Sequence, residues 1–150
     1  MKQLRIYVDT SVIGGCFDEE FQKESQDLLA MAADGRSCLL ISQILVDEVA
    51  SAPAEVQDLI RNLPEGIVEI VQVTDEAFDL RDAYIKNEVV TENHRNDALH
   101  VAVATVCRAD MIVSWNFRHI VHFDKIRGFN AVNLREGYMP IEIHSPKEVV

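Results

Sequence analysis

Short apolar runs alternate along this chain with longer stretches of helical periodicity. Residues 4–8, apolar apart from Arg5, and 38–41 are too short for helices, which predicts buried strands. Residues 67–73 and 111–114 predict two more strands, 129–132 a further one, and 140–143 an edge strand. Between them, residues 17–33 predict a helix with Phe21, Leu28, Leu29 and Ala32 as a rough apolar stripe, closed by Asp34-Gly35. Ser42 suits the N-cap of a helix reaching about residue 51, and Pro53 the first turn of a helix to about Asn62. Leu63-Pro64-Glu65-Gly66 predicts a turn, and Thr74 a cap for a helix to about Asn87. A polar stretch, 91–96, leads into an almost wholly apolar helix over 95–108, and 118–127 predicts a short helix. Strands separated by helices imply an α/β fold with a mostly parallel central sheet. No linker, repeat or low-complexity segment divides residues 1–150, so the expectation is a single domain.

Bulk properties narrow the function classes. The chain has 150 residues and is 48% hydrophobic, enough for a sizeable core and unlike a disordered composition. No apolar run approaches a membrane span, and the start runs directly into the first strand without a signal-peptide pattern, so the expected location is the cytoplasm. Cys16, Cys38 and Cys107 are odd in number, far apart and without C-x-x-C spacing, which argues against a disulfide framework or a zinc site; Cys38 and Cys107 fit as small buried hydrophobes. A net charge of −11 counts against a passive nucleic-acid binder. The charge is uneven, however. Residues 94–128 carry Arg95, Arg108, Arg118, Lys125 and Arg127 against Asp97, Asp110 and Asp124, together with four of the five histidines. If nucleic acid binds, this window is where it is expected.

The candidate chemistry is a set of acids at strand ends and on buried helix faces. Asp9 ends the first strand, and in open parallel sheets ligands gather beyond the carboxyl ends of the strands. Thr10 and Ser11 follow it and offer hydroxyl or backbone contacts; the alternative is that Asp9 only caps a turn. Helix phase separates Glu48 from Asp47: Glu48 shares a face with Ile44, Leu45 and Ala52, whereas Asp47 shares one with Gln43 and Ser51. A glutamate on an apolar face needs a partner, which could be Arg5 or Arg108 instead of a metal. Asp97 opens the late apolar helix, where the helix dipole alone would favour it. His100, one turn on, reads as a satisfied core histidine. Asn116, in Ser114-Trp115-Asn116, lies at another strand end with an amide oxygen suited to Mg²⁺ or a metal-bound water. Trp115 reads as an aromatic cap on the core more than as a base-stacking platform, and Asp124 as a surface acid. Carboxylates on buried faces are costly unless compensated, and a divalent cation compensates several at once. The set therefore points to a metal-dependent enzyme acting on phosphodiesters. Phosphate-loop, dinucleotide-loop and G-x-S-x-G motifs are absent from the sequence, and nothing local marks Cys16 as a nucleophile.

Tyr7-Val8-Asp9-Thr10-Ser11-Val12, the segment from Ser42 to Glu48, His94-Arg95-Asn96-Asp97-Ala98-Leu99-His100-Val101-Ala102 and Ser114-Trp115-Asn116-Phe117 together resemble a PIN domain, and in particular the VapC-type toxins. Each motif is short; their order and spacing carry the resemblance, which covers nearly the whole chain. It implies a three-layer α/β/α fold and Mg²⁺- or Mn²⁺-dependent endoribonuclease activity. It assigns Asp9, Glu48, Asp97 and Asn116 to the catalytic, metal-holding positions. Asn116 departs from the aspartate common at the fourth position and lowers the negative charge there by one, which leaves one metal or two open. Thr10, Ser11, Arg95, Arg118 and Lys125 are the expected substrate contacts. RNA is the expected substrate, an antitoxin protein the expected partner of a type II toxin–antitoxin pair, and a homodimer is compatible. The alternatives are a non-catalytic interaction module that kept the fold and a metal-dependent DNA nuclease.

Overall fold

A computed structural model describes residues 2–150; Met1, counted in the sequence reading of one domain, lies outside them. Strands β1 (Leu4–Val8), β2 (Ser37–Ser42), β3 (Val68–Val71), β4 (Met111–Val113) and β5 (Glu142–His144) form one sheet in the order β3-β2-β1-β4-β5. Every pairing is parallel. The helices are α1 (Thr10–Gly15), α2 (Gln22–Ala33), α3 (Gln43–Val49), α4 (Ala54–Arg61), α5 (Asp75–Lys86), α6 (Arg95–Val106), α7 (Phe123–Arg135) and α8 (Pro146–Val149).

Strand alternation sends successive side chains to opposite faces, and both faces of the inner strands β1, β2 and β4 are covered. Ile6 and Val8 of β1, Leu39 and Ile41 of β2 and Val113 of β4 join a core with Val12 and Ile13 of α1, Leu28 of α2 and Leu45 of α3. Tyr7, Leu40 and Ile112 point the other way, into a core built with α5, α6 and α7. This is why 38–41 and 111–113 read as unbroken apolar runs. It also gives three layers, as expected. Helix α6 is buried at nearly every position from Ala98 to Thr105.

Four local expectations change. Residues 118–122 of the predicted helix form a turn, and the rest of it joins the predicted strand over 129–132 in one helix, α7; Phe129 and Val132 are buried at a helical spacing of three. The edge strand starts two residues later, at Glu142. Helix α2 begins at Gln22, because residues ahead of it form the unexpected α1 and a turn. Ser42 holds the N-cap position of α3 but makes no capping bond; its hydroxyl is used elsewhere. Thr74 does cap α5, accepting from the Ala77 amide.

Gly15 ends α1 where the chain runs tight against its neighbours. A Cβ there would stand 2.6 Å from Ser25 Oγ and 2.9 Å from Trp115 Nε1. Those two groups bond each other at 2.7 Å, and Trp115 stacks on Phe21 at 4.3 Å, so the indole belongs to the core, as expected. Neither neighbour is a free side-chain end. Gly15→Ala is therefore expected to cost about 1–3 kcal/mol, the range for overpacking a filled site. Urea denaturation checks this; an unchanged midpoint would show that α1 can shift away.

Candidate active site

The strand order reverses at β1: the chain builds outward to β2 and β3, then returns to β4 and β5 on the other side. The crevice beyond the carboxyl ends of β1 and β4 is thus the topological switch point, the usual ligand position in open parallel sheets. Asp9 and Ser114 are the first residues past those two ends. Ser114 Oγ donates to Asp9 Oδ2 at 2.6 Å, and Ser11 Oγ to Asp9 Oδ1 at 2.6 Å. The serines are themselves held: Ser11 Oγ accepts from the Trp115 amide and Ser114 Oγ from the Asn116 amide, both at 2.9 Å. Asp9 is only 4% exposed. Burial pushes its carboxyl above the ordinary range, against the opposing pull of the His100 ring and the two hydroxyls. Asp9 also stands at the N-cap position of α1, where the Val12 amide adds a further pull that lowers its carboxyl.

Glu48 finds its partner in a histidine and not in Arg5, which pairs with Glu69 at 2.6 Å. His100 Nε2 lies 2.7 Å from Glu48 Oε1, and Thr10 Oγ1 donates to the same oxygen at 2.8 Å. The other face of the ring is also used: His100 Nδ1 lies 2.6 Å from Tyr7 Oη, which lies 2.8 Å from Ser42 Oγ. One assignment satisfies every group in this chain. Ser42 donates to Tyr7, Tyr7 to His100 Nδ1, and His100 Nε2–H to the carboxylate. The histidine is buried and satisfied, as expected, but what satisfies it is a site acid. Partial burial alone would raise the Glu48 carboxyl; the bonds from His100 and Thr10 outweigh it and hold the group below its ordinary value. Helix phase placed Glu48 on a buried apolar face, but the residue is exposed and only its Oε1 turns inward to His100; Asp47 accepts from Gln43 on the solvent side, as expected.

Asp97 lies in the first turn of α6, one turn before His100, so the same helix serves both. Its carboxylate is 28% exposed and stands 3.5 Å from His94 Nδ1. His94 stacks on His119, with ring centroids 3.5 Å apart. Among the described residues, His94, Asp97 and His119 form the one group of three His, Cys, Asp or Glu donors lying within 4.8 Å of one another. Asp9, Glu48 and Asp97 do not close to that degree. Thr10, adjacent to Asp9, joins that acid to Glu48, and His100 joins Glu48 to the helix that carries Asp97.

The remaining expected residues are more scattered in role. Asn116 Oδ1 accepts from the His119 amide at 2.9 Å, so the side chain shapes the turn after β4. Arg95 pairs with Glu92 at 3.1 Å on the exposed start of α6. Lys125 Nζ donates to the Val89 carbonyl at 2.6 Å and so ties α7 to the chain end of α5. Arg118 is exposed and makes no ion pair among the described residues. Asp124 is exposed in the first turn of α7. Sequence reading passed over Ser114 and weighed His100 and Ser42 only as structural. The available signal was three polar side chains inside otherwise apolar segments: the Tyr7 hydroxyl, Ser42 and His100.

Similarity to solved structures is evident at the level of the fold. The chain superposes on VapBC2 from Rickettsia felis bound to a promoter DNA fragment with a TM-score of 0.59 at 12% identity, covering 95% of this chain and 98% of that one. A DNA-bound VapBC from Salmonella typhimurium gives 0.60 at 14% identity, over 96% and 99%. VapC20 of Mycobacterium tuberculosis, a toxin that cleaves the sarcin–ricin loop, gives 0.58 at 13% identity, over 91% and 98%. The PIN-like α/β/α fold expected from the motifs is therefore the fold of this protein. No family model and no curated protein matches the sequence.

Proposed function

We propose that this protein is a divalent-metal-dependent endoribonuclease of the VapC type. The observation that carries the reading is the buried Asp9 carboxylate at the switch point, joined through Thr10 to Glu48 and through His100 to the helix of Asp97. It is supported by the shared fold with a toxin that cleaves the sarcin–ricin loop.

The donor chemistry fits a hard cation. Three carboxylates from three elements offer oxygen ligands, and their incomplete closure suits Mg²⁺ or Mn²⁺ held partly through water. Asp9, Glu48 and Asp97 would hold it; Asn116, committed to the His119 amide, contributes its remaining acceptor capacity at most. Once bound, such a cation neutralises the scissile phosphate and lowers the pKa of the attacking water.

The chain's own part is orientation. Ser11 and Ser114 fix both oxygens of Asp9, so that neither is free to rotate away from the crevice. His100 and Thr10 fix one oxygen of Glu48 and leave the other available. Arg118, exposed and without an ion-pair partner among the described residues, would meet the RNA backbone; Thr10 and Ser11 act through the two acids, and Arg95 pairs with Glu92.

An antitoxin as partner fits a second feature. Val46, Ile70 and Phe78 expose large apolar surface. Ile41, Val46, Ile60, Leu63, Val68 and Ile70 line an open groove of about 270 Å³ beside it. Exposed apolar grooves such as the one that holds Val46 and Ile70 mark protein-binding sites.

The direct test compares RNA cleavage by the wild type and by Asp97→Asn with Mg²⁺ or Mn²⁺. The expected outcome is metal-dependent cleavage in the wild type and a loss of at least about 10²-fold in the variant, beyond what outer-sphere changes usually cost. Equal activity in the two would overturn the assignment. Parallel single-stranded DNA substrates separate ribonuclease from DNase.

A further inference from the structure

We propose that His94, Asp97 and His119 form a binding site for a borderline transition-metal ion, Zn²⁺ foremost, distinct in donor set from the all-oxygen carboxylate crevice. The inference goes beyond the nuclease reading, and binding at this site does not depend on it.

Three observations carry it. The donors come from two separate segments: His94 stands at the N-cap of α6 and Asp97 in its first turn, while His119 lies in the turn after β4. All three ligand atoms lie within 4.8 Å of one another. Zn²⁺ binds His nitrogen and carboxylate oxygen at about 2.0–2.2 Å, so ligands in a tetrahedral set stand roughly 3.2–3.6 Å apart. One pair already does: His94 Nδ1 and Asp97 Oδ2 are 3.5 Å apart. His94 and Asp97 are 36% and 28% exposed in their side chains, and His119 is partly exposed, so all three have room for the small rotations that turn the stacked imidazoles toward a shared ion.

Anchoring is asymmetric in a useful way. The backbone of His119 is fixed by the bond from its amide to Asn116 Oδ1. Asn116, in the turn after β4, thereby places a metal-ligating histidine. The donor type sets the preference. Two imidazoles with one carboxylate suit Zn²⁺, Co²⁺ or Ni²⁺, whereas Mg²⁺ favours oxygen ligands and retains its waters. Three protein ligands leave a fourth position open, as in zinc sites that keep a bound water.

Asp97 is common to both donor sets. Zn²⁺ bound by the histidines withdraws that carboxylate from the crevice, so Zn²⁺ inhibits Mg²⁺-supported cleavage. This last step alone rests on the nuclease reading.

The experiment is calorimetric titration of the full chain with Zn²⁺, with Co²⁺ absorption as a second readout. Wild type, His94→Ala, His119→Ala, His119→Asn and Asp9→Asn are compared, each checked for folding by circular dichroism. The expected result is one site per chain, weakened at least 10-fold in each histidine variant and unchanged in Asp9→Asn, with Co²⁺ spectra free of thiolate charge-transfer bands. Binding that survives both alanine variants overturns the proposal. So does equal loss in Asp9→Asn, which would place the ion in the crevice, or a thiolate band, which would place it at cysteine. Failure of the nuclease reading would leave this binding pattern intact and remove only the inhibition.

Discussion

Asp9→Asn is expected to abolish RNA cleavage, by at least about 10²-fold, and at the same time to raise the Tm of the metal-free protein. The two effects have one origin. Asp9 is held at the end of β1 with almost no solvent, and burial pushes its carboxyl above the ordinary value of 3.8. A group raised in the folded state stabilises fully below its unfolded value, and that stability is lost as pH rises through the folded value. At neutral pH the wild type therefore carries an uncompensated cost that an amide avoids. The Tm difference between variant and wild type should vanish in acid, grow as pH rises past about 4, and level off above the raised value. Excess Mg²⁺ or Mn²⁺ should stabilise the wild type and leave the variant unmoved, because only the charged crevice gains by binding the ion. Scanning calorimetry across pH, with and without the cation, checks all three statements. A variant less stable than wild type at every pH would show that the Ser11 and Ser114 bonds outweigh the burial cost.

How much of this was legible in the sequence depends on distance along the chain. β1, β2 and β4 stood out because both faces of each strand are buried, which leaves no polar alternation. Glu48 could be separated from Asp47 by helix phase, a rule that acts over four residues. What failed at short range was punctuation. The segment before residue 17 was given no element, yet it holds α1, whose last residue, Gly15, has no room for a Cβ against Ser25 and Trp115. Gly128 reads as a boundary between a helix and a strand, yet it lies inside α7, where a Cβ would meet Val89 at 3.0 Å. What was missed at long range was partnership. Ser114 reaches Asp9 across 105 positions and His100 reaches Glu48 across 52. No periodicity encodes such pairs; they appear only once the parallel register has brought the strand ends together. The histidine pair at positions 94 and 119 was visible as composition and became a donor set only through the turn that Asn116 holds.

His100→Ala is expected to lower stability by about 3–5 kcal/mol, on the order of 10 °C in Tm, and cleavage by about 10–100-fold at temperatures where the variant is fully folded. The imidazole is 2% exposed and bonds on both sides. Its removal leaves a cavity, strands the Tyr7 hydroxyl and frees Glu48 from the bond that aims it. His100 touches no expected substrate atom, so it is a positioning residue, and its effect on catalysis runs through Glu48. Two readouts separate that role from loss of fold. In the metal-free wild type, Glu48 is held below its ordinary value of 4.5, so its share of stability is present above that pH and is lost as pH falls through the lowered value. In His100→Ala this acid-side loss should shrink, since the partner that lowers the group is gone. Tyr7→Phe supplies the contrast: it removes the hydroxyl and keeps the His100–Glu48 bond. It should cost only about 1–2 kcal/mol and change cleavage little. If Tyr7→Phe impaired cleavage as much as His100→Ala, the chain from Ser42 to Glu48 would act as one unit, and the orientation of the acid would depend on all of it and not on the histidine alone.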